Sequence, residues 1–138
     1  MSPSSTGYSG TPLAKKLGIV EGSRVVTLHA PDDYARWLSS IPSNVVFEGK
    51  VTPLTDIVHV FSATKADLKA TLETLRNAIK SSGTVWVSWP KKTSKVPTDI
   101  TDNTIRELAL PLGFVDIKVC AVSDVWSGLK LVIRKEQR

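Results

Sequence analysis

Gly83-Thr84-Val85-Trp86-Val87-Ser88-Trp89-Pro90-Lys91-Lys92 is the stretch from which the rest of the chain can be read. Apolar and β-branched residues run almost unbroken from Val85 to Trp89, the composition of a strand covered on both faces. Pro90 has no N–H for a ladder and biases Trp89 toward an extended backbone, so the strand should stop there. It leaves through a cationic loop. Trp86 and Trp89 are its largest side chains. A buried aromatic of that size removes roughly 150–250 Å² from water, so the layers of a small domain must pack around it.

Working outward, the clearest helix lies just before this strand. Leu68, Leu72, Leu75 and Ile79 recur at i, i+4, i+7 and i+11, which predicts a helix over 65–81 with one apolar face. Ser62 or Thr64 can cap its start, and Gly83 suits its exit. Residues 55–61, Thr-Asp-Ile-Val-His-Val-Phe, form another nearly continuous apolar strand. Residues 23–29 form the first strand and residues 44–48 a short one. Between these, Tyr34, Trp37, Leu38 and Ile41 share one helical face, with Pro42 as the stop. After the organising strand, Thr101 is a good N-cap for a helix over 101–110, which Pro111 should end or kink. Residues 114–122 alternate with period two. A short connection containing Trp126 returns the chain antiparallel over 128–134.

Strands alternating with helices imply a largely parallel sheet with helices on both faces. The expected fold is an α/β three-layer Rossmann-like sandwich of about six strands ending in an antiparallel hairpin. Residues 1–12, rich in Ser, Gly, Thr and Pro, are expected to be a flexible arm, and 13–138 a single domain. Within or beside the arm, Gly7-Tyr-Ser-Gly-Thr-Pro-Leu-Ala-Lys-Lys-Leu17 has a tyrosine and two glycines ahead of a helical turn. It is a candidate lid or self-association element.

The order from Asp56 onward resembles a shortened class I methyltransferase sheet. An Asp-Ile-Val-His-Val strand is followed by a long helix, a Gly-Thr-Val-Trp-Val strand, a helix ending Leu-Gly-Phe, and a terminal hairpin. The resemblance covers roughly residues 23–135 and implies strand order 2-1-3-4-6-5. The chain also resembles, more closely in sequence, an uncharacterised bacterial "domain of unknown function" family. The segments that carry this are the Gly7 to Ile19 opening, Trp86-Val-Ser-Trp-Pro-Lys-Lys92, Val96-Pro-Thr-Asp-Ile100 and Val119-Cys-Ala-Val-Ser-Asp-Val-Trp-Ser-Gly-Leu129. That second resemblance implies a fold and no activity.

Bulk composition narrows the function classes. At 138 residues one domain is expected, large enough to bury roughly two thirds of its unfolded surface without staples. The single cysteine, Cys120, allows no intrachain disulfide and fits a reducing cytoplasm. The polar opening is not a secretory signal, and no apolar run is long enough to span a membrane. The net charge of +5 lies mostly in the second half, where residues 70–138 hold 11 Lys and Arg against 7 Asp and Glu. A basic half can meet an anionic partner, but it lacks the dense stripe of a nucleic-acid module, so nucleic acid is only a third reading.

In parallel sheets ligands sit beyond the carboxyl ends of the strands, at the switch point. That edge should hold His29, Asp32, Glu48, Ser62, Trp89, Lys91, Lys92 and Lys95 as candidate ligand-binding residues. The first strand-to-helix turn, Leu28-His-Ala-Pro-Asp-Asp-Tyr34, has no glycine, although the methyltransferase pattern has Gly-x-Gly at this point. It also places two carboxylates where a pyrophosphate would sit. Glu48 ends its strand where related folds place an acid for ribose hydroxyls, or it is simply an exposed strand-end acid. The 90–100 loop is longer than usual. Trp89 could stack a ring while Lys91, Lys92 and Lys95 meet an anion, or Trp89 packs in the core beneath a solvated loop. His59 and Cys120 read as core groups, and neither forms a metal-ligand spacing.

No nucleophile elbow, P-loop or acid–base constellation is present. The expectation is therefore a non-catalytic binding or regulatory module with a small anionic ligand, no cofactor and a possible homo-oligomer through the arm. The alternative is an S-adenosylmethionine- or nucleotide-binding enzyme, the cofactor that the methyltransferase resemblance would imply.

Overall fold

The computed structural model describes residues 11–38 and 40–138. The expected arm falls almost wholly outside the described residues. Six strands form one sheet: β1 (Arg24–Leu28), β2 (Val46–Phe47), β3 (Ile57–Phe61), β4 (Thr84–Pro90), β5 (Phe114–Ala121) and β6 (Trp126–Ile133). Their order is β2-β1-β3-β4-β6-β5. β2, β1, β3 and β4 run parallel, and β6 is antiparallel to both β4 and β5. The fold class and strand order are those expected.

Two helices, α3 (Lys65–Ala78) and α4 (Asp102–Ala109), cover one face. There Val26, Val58, Val60, Val85, Val87 and Trp89 meet Leu68, Leu72, Leu75 and Ile105. The other face is covered by α1 (Leu13–Leu17) and α2 (Tyr34–Trp37), whose Leu13, Leu17 and Tyr34 pack with Val25, Ile57, Phe61 and Trp86. Every residue of β3 is buried, as its unbroken apolar run requires. β4 therefore divides its two tryptophans between two cores. Trp86 faces α1 and donates its indole N–H to the Leu17 carbonyl at 3.0 Å, while Trp89 faces α3 and α4.

Several local expectations are corrected. The helix over 34–41 is a single turn: Leu38 leaves the helical region, and Ile41 is 44% exposed. Pro42 disfavours α geometry at Ile41, so the apolar spacing there does not continue as a helix. α3 ends at Ala78 rather than Ser81, and Gly83 is not its left-handed exit. A Cβ on Gly83 would instead lie 2.8 Å from the Ile79 side chain, so the glycine allows a close approach. Trp126 opens β6 instead of lying in the hairpin turn, and its ring meets Phe61 edge-on at 5.0 Å between centroids.

α4 carries the expected Thr101 cap, completed by Thr104 as a capping box. Neither expected cap serves α3. The Thr64 side chain makes no cap bond, and the Ser62 hydroxyl donates to the Thr64 carbonyl. The Asp99 carboxylate, arriving from the loop after β4, accepts the Lys65 N–H at 2.7 Å instead. At the opposite end of the sheet, Asp56 accepts the Arg24 backbone N–H at 2.8 Å and is ion-paired with Lys80. These contacts tie β1, β3 and the end of α3 together. Burial alone would raise the Asp56 pKa, but the Lys80 and Arg24 contacts outweigh it and hold the carboxyl below its usual range.

Candidate functional site

The chain direction across the sheet reverses between β1 and β3, because β2 lies on one side of β1 and β4 on the far side of β3. A crevice at the carboxyl ends of β1 and β3 follows from that reversal. The structure has a cavity there of about 180 Å³, lined by His29 at the end of β1, Phe61 and Ser62 at the end of β3, and Thr64, Asp67 and Thr71 on the first turns of α3. His29 has φ 62°, the left-handed region that favours glycine. The backbone thus makes the sharp turn of a ligand-binding fold, but with a side chain in place of a hydrogen.

Two of the eight candidate residues meet in this cavity, His29 and Ser62. Asp32 is exposed in the turn before α2. Its neighbour Asp33 is occupied by Arg36. Glu48 follows Phe47, which lies beside Val25, so it is level with the middle of β1 and well short of the edge. Its side chain lies 3.6 Å from Arg24, near the start of β1, and its Oε1 is buried without a hydrogen-bond partner. Trp89 is 8% exposed within the α3–α4 core and offers no open ring face for stacking.

Lys91, Lys92 and Lys95 follow β4 in a loop with a 3-10 turn at Lys92–Ser94, and Lys92 and Lys95 are exposed. This loop folds back over the β3–α3 connection. The Thr98 hydroxyl donates to the Ala63 carbonyl at 2.7 Å, and Asp99 caps α3. The N–H-rich start of α3, the natural seat for an anion at this edge, therefore already holds a carboxylate from the chain itself. The signal was present in the sequence as an aspartate in the long loop, but only the tertiary fold puts it on that helix.

The residues with the most developed polar chemistry lie elsewhere. The Tyr34 hydroxyl is 2.9 Å from His59 Nδ1, and His59 Nε2 is 2.7 Å from the Ser88 hydroxyl. Phe61 stacks on the imidazole at 4.3 Å, with the Tyr34 ring edge-on to it. His59 and Ser88 are completely buried. Burial lowers the His59 pKa to about 3 and pushes the Tyr34 phenol above its ordinary value. A neutral imidazole donates from one nitrogen and accepts at the other, so a hydroxyl on each side satisfies both. The row resembles a nucleophile, base and orienting group, yet His59 and Ser88 are wholly buried and Tyr34 nearly so. Its effect is to hold α2, β3 and β4 together. Among the described residues no group of three or more His, Cys, Asp or Glu side chains could hold a metal, and no helix is long and apolar enough to cross a membrane.

A family described as "Protein of unknown function (DUF3052)" matches residues 14–135. The chain belongs to this family. No curated protein matches it in sequence. Among solved structures it is similar to an S-adenosylmethionine-dependent methyltransferase from Aquifex aeolicus, at 11% identity and TM-score 0.63, over 88% of this chain and 87% of that one. It is also similar to Aeropyrum pernix fibrillarin, solved with natively bound S-adenosyl-L-methionine, at 12% identity and TM-score 0.58, over 92% and 71% of the two chains. These likenesses show the fold: the family has a methyltransferase-like core. They also name a cofactor against which the cleft can be tested. The cavity is smaller than the roughly 300–1,000 Å³ of ordinary small-molecule sites. The β1–α2 turn has no glycine, and Phe61 and Trp37 pack around Tyr34 beside it, with Trp126 edge-on to Phe61. In this conformation the cleft does not fit a nucleoside-sized cofactor.

Proposed function

We propose that the chain is a non-catalytic binding or regulatory module of the bacterial cytoplasm, built on a methyltransferase-like core. Its ligand is a small anion at the carboxyl edge of the sheet. The observation that carries this reading is the switch-point cleft itself, about 180 Å³ and closed by a turn in which His29 stands where a glycine would admit a cofactor. The Ser62 hydroxyl is turned to the Thr64 carbonyl, and the Tyr34, His59 and Ser88 row is sealed in the core. Neither supplies an activated nucleophile to that edge. None of the loop lysines lines the cavity; Lys91, Lys92 and Lys95 lie in the loop whose Asp99 caps α3, and in this reading they attract the anion from there.

The test is thermal-shift and calorimetric titration with inorganic phosphate, nucleoside phosphates and S-adenosylmethionine. The reading expects stabilisation by small anions that is lost in Lys92→Ala, following RT ln(1 + [L]/Kd). Turnover of any of these compounds, or no anion response at millimolar concentration, overturns it.

A second reading rests on one specific observation, the buried and partnerless Glu48 Oε1. A ligand hydroxyl would satisfy it. In that reading the chain binds S-adenosylmethionine or a nucleotide after the β1–α2 turn opens, and Glu48→Ala abolishes the thermal shift caused by that ligand. The N-terminal residues, with Tyr8, are proposed as the self-association element. Sedimentation of the full chain against one lacking residues 1–10 decides this.

A further inference from the structure

The amino ends of the parallel strands, opposite the switch point, hold a larger cavity. It measures about 320 Å³, against about 180 Å³ at the carboxyl edge, and so reaches the roughly 300–1,000 Å³ of ordinary small-molecule sites. The connection from α1 to β1 lines it with Val20 and Glu21, the starts of β3 and β4 add Asp56 and Thr84, and β6 adds Lys130. Gly18 and Gly22 in that connection have φ 81° and 78°, and nothing lies within 4 Å of where a Cβ on either would stand. That wall is therefore open. Lys130 is opposite Trp86 across the β4–β6 ladder and opposite Lys118 across the β5–β6 ladder. Directly opposite residues share a face, so Lys130 lies on the α1 side of the sheet with a like charge as its neighbour. Among the described residues Lys130 has no carboxylate or hydrogen-bond partner, and the Thr84 hydroxyl has none either. The two acids differ. Asp56 is engaged by Lys80 and the Arg24 N–H, whereas the Glu21 carboxylate has, among the described residues, only a 3.4 Å contact from Asn44 Nδ2.

We propose that this amino-edge cavity binds a free α-amino acid with an apolar side chain. The Lys130 ammonium and the Thr84 hydroxyl meet the ligand carboxylate, and the Glu21 carboxylate meets the ligand ammonium. Both are charge-assisted contacts, the stronger kind of hydrogen bond. Leu17, Val20 and Ile57 give the cavity an apolar wall for the side chain. A zwitterion is favoured over a ligand of one sign. A phosphate or nucleotide entering here would face Glu21 and Asp56, and a simple amine would face Lys130. Only a molecule that carries both charges uses both free groups without meeting a like charge alone. The two cavities have no lining residue in common, so this site stands or falls independently of the anion reading at the carboxyl edge.

The test is calorimetric titration of the full chain with L-leucine, beside isocaproate, which lacks the amine, and isoamylamine, which lacks the carboxylate. Saturable binding of L-leucine is expected, with amide shifts concentrated at residues 18–23, 82–84 and 130. Each single-charge analogue should bind about tenfold more weakly, as for the loss of a hydrogen bond to a charged group. Lys130→Met and Glu21→Gln should each weaken L-leucine by about the same factor. The proposal fails if millimolar L-leucine gives no saturable binding, or if isocaproate binds equally well, which would make this a simple anion site. It also fails if both variants, folded by circular dichroism, bind L-leucine unchanged, or if the amide shifts centre on residues 28–31 and 61–71 at the carboxyl edge.

Discussion

The Asp99 carboxylate accepts the Lys65 backbone N–H at 2.7 Å, across 34 positions of sequence. One contact thus closes the loop after β4 onto the first turn of α3 and neutralises the helix end nearest the switch-point cleft.

Removing it should have two effects. Asp99→Ala should lower stability by about 1 kcal/mol, the usual value of a helix cap, read from urea midpoints. It should also increase the stabilisation that phosphate provides, because the α3 N–H groups become available to an external anion. A variant as stable as the parent, with an unchanged phosphate response, would show that the contact does not hold the loop.

The His59 pKa, about 3 in the folded chain against an ordinary 6.5, sets a pH dependence. Between these values the unfolded chain binds a proton that the folded chain refuses. Stability is therefore full above about pH 6.5 and falls as pH drops toward 3, by up to roughly 1.4 kcal/mol per pH unit for this one group. Asp56 and Asp116, both held below the usual carboxyl range, add to the loss at the acid end. His59→Phe should be less stable than the parent at pH 7, since it strips partners from Tyr34 and Ser88, but its stability should decline less between pH 6.5 and 5. Parallel declines would refute the assignment.

Trp86 links the central strand to α1 through the Leu17 carbonyl. Trp86→Phe keeps an aromatic ring but leaves that buried carbonyl unsatisfied, which should cost roughly 1–3 kcal/mol. Chemical denaturation measures this directly, and a loss within error would mean that the carbonyl finds another donor.

The left-handed backbone at His29 gives a test with the opposite sign. A β-carbon in that region costs roughly 1–2 kcal/mol, against roughly 0.5–1 for the entropy of an ordered glycine. His29→Gly should therefore leave stability unchanged or raise it by up to about 1 kcal/mol. A clear loss would instead show that the imidazole makes contacts of its own in the cleft.

The candidate site was legible only in outline. The absence of glycine between Leu28 and Tyr34 is a fact of composition, and the structure adds that His29 in that turn has φ 62°. The eight edge residues were another matter, since placing them together assumed strands that all end at one level. β2 stops level with the middle of β1, so Glu48 is left short of the edge. Of the loop after β4 it is Asp99 that reaches the start of α3, and Lys91, Lys92 and Lys95 do not line the cavity.

The sequence by itself determined the order of elements, the doubly covered sheet and the terminal hairpin. These rest on local periodicity and on where proline and glycine interrupt it. It also set the importance of the Val85 to Trp89 strand, since two tryptophans in an apolar run must be buried somewhere. Only the tertiary structure decided which of them faced which core. In a strand buried on both sides every residue reads as apolar, and the face each one takes depends on its register with β3 and β6. That register sent Trp86 to α1 and Trp89 to α3 and α4.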